Sequence, residues 1–154
     1  MADILIVYGS TTGNTEQAAT IIDNCLQDAG YEAELKNVTD VEAEGLCKGR
    51  DLVIFGCSTW GQDEIELQDD FISLFDAFDK IGARGAKTAV FGCGEEGYPY
   101  FCGAVDAITD KLVELGADVV GGKLKINGDP DEAEDEINDW TKGVVKEIQN
   151  LCMF

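Results

Sequence analysis

The sequence predicts an α/β fold, a single doubly wound sheet of five parallel strands with helices on both faces. Three observations predict it. Short apolar runs rich in branched residues recur along the chain, continuous rather than alternating, as in strands buried on both faces. Stretches with apolar residues at helical spacing lie between them. No repeat, low-complexity run or linker interrupts this alternation, and the 154 residues read as one domain, 1–154.

The first strand is Ile4-Leu5-Ile6-Val7-Tyr8, broken by Gly9 through Gly13. From about Asn14 to Ala29, residues Ala18, Ala19, Ile21, Ile22, Cys25 and Leu26 recur at helical spacing, and Gly30 closes the helix. Tyr31 to Val38 alternates as a weaker strand, and a short helix is expected from Val41 to Cys47. Leu52-Val53-Ile54-Phe55-Gly56-Cys57 is a third, fully apolar strand, followed by a loop of unusual length from Ser58 to Gln68. Phe71, Leu74, Phe75 and Phe78 form a helical stripe that reads as core packing, as does Trp140. Lys87 to Cys93 is the fourth strand, and Gly94 to Phe101 the loop after it. A helix from about Gly103 to Leu115 ends at Gly116, and Val119-Val120 with Leu124-Lys125-Ile126 makes the fifth strand. Asp129-Pro130 then opens the last helix, with proline at its first position and acids in its first turn.

The chain has 31 acidic and 11 basic side chains, a formal charge of −20, and no histidine. Without imidazole there is no Ser-His or Cys-His nucleophile pair and no His-bearing zinc site. The charge opposes binding to nucleic acid and to anionic membranes; its plainest meaning is solubility. The apolar run at the start carries an acid and no basic region and ends at Gly9, too short for an export signal. No stretch approaches the ~18 apolar residues of a spanning helix. The six cysteines form no C-x-x-C pair, so reduced thiols in the cytoplasm are expected.

In such a sheet, ligands bind outside the carboxyl ends of the strands. Three loops stand there: Gly9–Thr15, Ser58–Gln68 and Gly94–Cys102. The first carries Ser10, Thr11, Thr12, Gly13, Asn14 and Thr15 between a strand and a helix, so hydroxyls and an amide surround free N–H groups at a helix N-terminus. That is an anion cradle. It lacks the Lys-Ser/Thr of a Walker loop, and the first basic residue of the chain is Lys36, so neutral donors would hold a phosphate monoester. The second loop opens Ser58-Thr59-Trp60-Gly61-Gln62-Asp63 and puts a flat ring at the sheet edge. The third, from Cys93 and Gly94 through Glu95 to Cys102, carries Tyr98, Tyr100 and Phe101 around Pro99. Two aromatic loops beside a phosphate cradle suggest a planar ring system with a phosphate tail.

Other assignments fail on particular residues. Gly92-x-Gly94-x-x-Gly97 matches the dinucleotide fingerprint, but its central residues are Glu95 and Glu96, which repel a pyrophosphate, and Pro99 stands where helix should continue. A two-component receiver needs aspartates where this chain has Tyr8-Gly9 and Cys57-Ser58. A low-molecular-weight phosphatase needs an arginine six residues after its cysteine; Cys57 has Asp63 there and reads as a core thiol.

With Ser10-Thr11-Thr12-Gly13-Asn14-Thr15, Ser58-Thr59-Trp60-Gly61 and Cys93-Gly94 with Tyr98 and Cys102 in register, the chain resembles the flavodoxins, small FMN electron carriers, over essentially its whole length. It is most similar to the short-chain kind of sulfate-reducing bacteria. The resemblance implies the strand order 2-1-3-4-5. It also implies a monomeric, cytoplasmic, low-potential one-electron carrier, cycling mainly between semiquinone and hydroquinone and not itself an enzyme. Ser10 to Thr15, with Ser58 and Trp60, would hold the FMN phosphate. Trp60 would cover one flavin face and Tyr98 the other. Backbone of Gly61, Gln62 and Asp63 would line the N5 edge, where the carbonyl at Gly61 turns to accept a proton of the semiquinone. Backbone of Glu95, Tyr100 and Cys102 would bind the pyrimidine end. Gln62 and Glu95 depart from the family's more usual acid and aspartate.

Acids near the ring would oppose its full reduction. Two charges ~10 Å apart in water interact by about 0.4 kcal/mol, roughly 17 mV for one electron, and several such acids amount to on the order of 100 mV. Basic residues are absent from 1–35, 51–79 and 88–110, and each of the three loops falls within one of these gaps. That asymmetry would also steer basic faces of partner redox proteins to the ring edge. Two competing classes remain. A flavin enzyme such as a quinone reductase needs a second substrate pocket, for which the chain spares no lid and no basic group. A cofactor-free signalling module leaves the three loops unexplained.

Overall fold

In a computed structural model, the chain is described over residues 3–9, 14–57, 59–60, 66–67, 69–94, 103–127 and 130–152. Five parallel strands, β1 (Ile4–Gly9), β2 (Ala33–Asn37), β3 (Leu52–Cys57), β6 (Lys87–Gly94) and β7 (Asp118–Asn127), lie in the order β2-β1-β3-β6-β7. Counting these five alone, the order is the expected 2-1-3-4-5. The other two strands, β4 (Thr59–Trp60) and β5 (Glu66–Leu67), pair antiparallel within the long loop after β3. The helices are α1 (Asn14–Asp28), α2 (Asp69–Asp76), α3 (Gly103–Glu114) and α4 (Glu134–Cys152).

Side chains alternate across a strand, and β1 shows the consequence. Ile4, Ile6 and Tyr8 join one core with Ile22 and Leu26 of α1 and Ile137, Val144 and Ile148 of α4. Leu5 and Val7 join the other, with Phe71 and Leu74 of α2 and Val105, Ile108 and Leu112 of α3. Every residue of β1 and β3 is buried, whereas β2, at the sheet edge, alternates half-buried and exposed residues. The expected phenylalanine stripe is core. Phe55 meets Phe71 edge-on at 6.4 Å and Phe78 at 5.3 Å, and such pairs add about 0.5–1.5 kcal/mol each beyond area burial. Trp140 packs its ring 6.4 Å from that of Phe91 and donates Nε1–H to the Gly122 carbonyl at 3.1 Å.

Three local expectations are corrected. No helix forms over Val41–Cys47. A 3-10 turn, Val38–Asp40, comes first, capped by Asn37 Oδ1, which accepts from the Thr39 amide at 3.0 Å. Gly45 and Gly49 then take left-handed backbone, φ 70° and 74°, and the N–H groups of Gly45 and Cys47 donate to the carbonyls of Lys80 and Ile81. Donors used on a neighbouring segment are lost to a helix. The last helix begins as a 3-10 turn, Pro130–Ala133, and becomes α-helical only at Glu134, an arrangement common at helix N-termini. The long loop after β3 holds the β4–β5 ribbon.

Cys25, Cys47, Cys57 and Cys93 are all buried. Burial pushes the Cys47 thiol from 9.0 up to about 11. The unfolded chain therefore ionises first as pH rises. The stabilisation from keeping this thiol neutral is complete below pH 9 and drains away toward pH 11. Urea unfolding followed across pH 8–11 should show a fall in stability that Cys47→Ala flattens; parallel curves for the two proteins would contradict this.

Candidate functional site

Parallel pairing brings the carboxyl ends of the central strands to one edge. Gly9 of β1 stands opposite Cys57 of β3, and β6 runs on to Gly94, opposite Asn127. Each of the three central ends, Gly9, Cys57 and Gly94, leads into one of the three loops singled out in the sequence.

After β1, four residues lead to Asn14, the first residue of α1. The opening turn of α1 thus starts beside the sheet edge, where its first N–H groups have no partner within the helix and its dipole favours an anion. Thr15 is fully buried in that turn and Glu16 is exposed. Tyr8 ends the apolar run of β1 at 9 % exposure, and burial, then the carboxylates of Glu16 and Asp40, raise its phenol above its ordinary value.

After β3, the backbone of Thr59 and Trp60 pairs with Leu67 and Glu66. Residues 59–60 and 66–67 of the second loop therefore form a ribbon, which lies against α3 and β6. Each strand of the ribbon has only two residues, too few for alternation to show in the sequence. After β6, the chain returns at Gly103, the buried first residue of α3. Cys93 is 4 % exposed and joins the α1–α4 core.

Of the expected ligand-binding residues, Asn14, Thr15, Thr59, Trp60, Cys93 and Gly94 are thus gathered at one edge of the sheet. Ser10, Thr11, Thr12, Gly13, Ser58, Gly61, Gln62, Asp63, Glu95, Tyr98, Tyr100, Phe101 and Cys102 lie outside the described residues.

Two lysines of the flanking strand β7 share one carboxylate. Asp106, in the first turn of α3, accepts from Lys123 at 2.9 Å and Lys125 at 2.8 Å. Burial works against its ionisation, but the bonds from Lys125 and Lys123 outweigh it and hold Asp106 below its ordinary carboxylate value.

Sequence reasoning overlooked two glycines beneath this edge. A Cβ on Gly56 would stand 2.1 Å from Phe91 Cζ, and one on Gly92 would stand 2.5 Å from the Cys57 carbonyl oxygen. Glycine inside an otherwise apolar strand is the available signal for such close approach. Among the described residues, no helix is long and apolar enough to cross a membrane, and no group of His, Cys, Asp and Glu could hold a metal ion.

Comparison with known proteins gives a consistent result. The family profile described as Flavodoxin matches residues 6–140. The chain is 55% identical over 145 residues to a flavodoxin of Nitratidesulfovibrio vulgaris, covering 94% of this chain and 98% of that one. It is 54% identical to a flavodoxin of Maridesulfovibrio salexigens, covering 96% and 100%. Among solved structures, oxidised flavodoxin 1 of Bacillus cereus superposes with a TM-score of 0.84 at 33% identity, covering 94% of this chain and 98% of that one. A Fusobacterium nucleatum flavodoxin bound to flavin mononucleotide shares the fold, with a TM-score of 0.81 at 20% identity over 96% and 99%.

Proposed function

The chain belongs to the flavodoxin family, and from that premise we propose that it binds FMN non-covalently and carries single electrons between redox proteins at low potential. It does so in the cytoplasm, as a monomer, moving mainly between the one-electron and two-electron reduced states of the flavin. The observation that carries this reading is the convergence of Gly9, Cys57 and Gly94 at one sheet edge, each opening a loop whose residues match the family's flavin loops. Members of this family are electron carriers rather than enzymes, and the flavin, when bound, supplies the redox chemistry.

The residues present fit that group. A phosphate monoester needs several donors and little else, and the opening turn of α1 with Ser10, Thr11, Thr12, Gly13, Asn14 and Thr15 supplies backbone N–H groups, hydroxyls and an amide without a cation. Ser58, Thr59 and Trp60 extend the cradle from the ribbon. Trp60 and Tyr98 would enclose the ring and exclude water from its faces. Backbone of Gly61, Gln62, Asp63, Glu95, Tyr100, Phe101 and Cys102, with Cys93 and Gly94, would meet its polar edge. A glycine at 61 lets a peptide turn toward the ring at low φ/ψ cost. The acids around the edge disfavour extra charge on the ring and draw basic faces of partner proteins toward it. The same charge keeps nucleic acids and anionic membranes away.

Titration of the apoprotein with FMN is expected to quench flavin fluorescence at one equivalent and give a yellow protein. Half reduction should then turn it blue. A protein that stays colourless with FMN present would overturn the reading, and one that bleaches directly to its fully reduced form would overturn the one-electron part.

A further inference from the structure

We infer that Gly92 is a positioning residue for the flavin loops, a role that deepens the FMN-carrier reading and rests on it. Gly92 lies in β6, two residues before that strand ends at Gly94. The β3–β6 register pairs Gly56 with Phe91, so Gly92 is level with Cys57, the last residue of β3 before the second loop. A Cβ at position 92 would stand 2.5 Å from the Cys57 carbonyl oxygen and 2.6 Å from Cγ2 of Val105. Both distances are far inside van der Waals contact. The first atom is backbone, and the second belongs to a fully buried side chain in the first turn of α3, so neither gives way without moving its element.

These two contacts have a common consequence. Cys57 sets the direction in which the chain enters 58–60, and Val105 sits two residues after the third loop delivers the chain to Gly103. The bare backbone of Gly92 lets the two close over it, which fixes how the ribbon after β3 and the start of α3 approach each other. On the proposed reading these two elements carry the chain into and out of the loops that bind the flavin ring. Gly56 differs in kind, because the atoms nearest a Cβ there all belong to the Phe91 ring in the core. The phosphate cradle grows from β1 and α1, which do not touch position 92 through these contacts.

The prediction is therefore specific to the ring. Gly92→Ala should weaken binding of both FMN and riboflavin by about ten- to a hundredfold. The ratio of the two dissociation constants, which reads the phosphate cradle, should stay as in the wild type. The visible circular dichroism of the bound flavin should change, a signature that general destabilisation measured well below the melting temperature does not produce. Wild-type affinities and an unchanged flavin spectrum would overturn the inference, and so would a loss confined to FMN. Should Gly92→Ala fail to fold, Gly92→Ala/Val105→Ala relieves the side-chain contact and keeps the carbonyl one. Its expected result is partial loss of both affinities, and wild-type binding would again overturn the inference. Failure of the wild type itself to bind FMN would instead refute the functional reading.

Discussion

Gly121→Ala is expected to destabilise the protein by about 2–5 kcal/mol, and Gly122→Ala, one residue on, by only about 1–2. Both glycines have left-handed backbone, φ 79° and 72°, so each substitution carries the conformational cost of a side chain in that region. They differ in surroundings. A Cβ on Gly121 would stand 2.4 Å from Cγ2 of Val144, a fully buried residue of α4, whereas one on Gly122 would meet nothing within 4 Å. The overpacking term of about 1–3 kcal/mol therefore falls on Gly121 alone. These glycines form an irregularity in β7, where the register to β6 passes from Thr88↔Val119 to Val90↔Lys123. Trp140 anchors it through the Gly122 carbonyl, and α4 closes over it. Urea unfolding of the two single variants decides the matter, and equal costs would show that backbone strain dominates and Val144 does not.

Replacing Asp63, Glu64, Glu66 and Glu95 by their amides is expected to raise the second one-electron potential by on the order of 70 mV. The estimate takes roughly 17 mV per charge ~10 Å from the ring. Glu66 lies in β5 directly across the ribbon from Trp60. The first potential should move less, because the family's one-electron reduced flavin takes a proton with its electron. Salt should reduce the shift, since the screening length falls to about 10 Å at 0.1 M. Potentiometric titration of the variant at low ionic strength checks this, and an unmoved second potential would refute a field origin for the low potential.

The central strands were legible because continuous apolar runs have few other uses in an alternating chain. β3 begins and ends where its run does, at Leu52 and Cys57. The helix expected over Val41–Cys47 was not legible. Its hydrogen bonds go to Lys80 and Ile81, more than thirty residues away, and no local pattern encodes that choice. Trp140 read correctly as packing, but its bond to Gly122 depends on how α4 crosses β7. The candidate site divides in the same way. Residue types announced an anion cradle and aromatic loops, whereas the two-residue strands of the ribbon and the close packing over Gly92 are products of neighbouring elements.

The sequence by itself determined the class of fold, the three loops, the family and the acidic field, because these depend on composition, period and motif within short stretches of chain. Tertiary structure alone decided which faces α1 with α4 and α2 with α3 cover. It also decided how the second loop folds back on itself, and which glycines are indispensable. Those depend on distances between segments remote in the chain. A glycine's importance lies in the atoms that occupy the place of its missing side chain, and at Gly92 those atoms come from Cys57 and Val105.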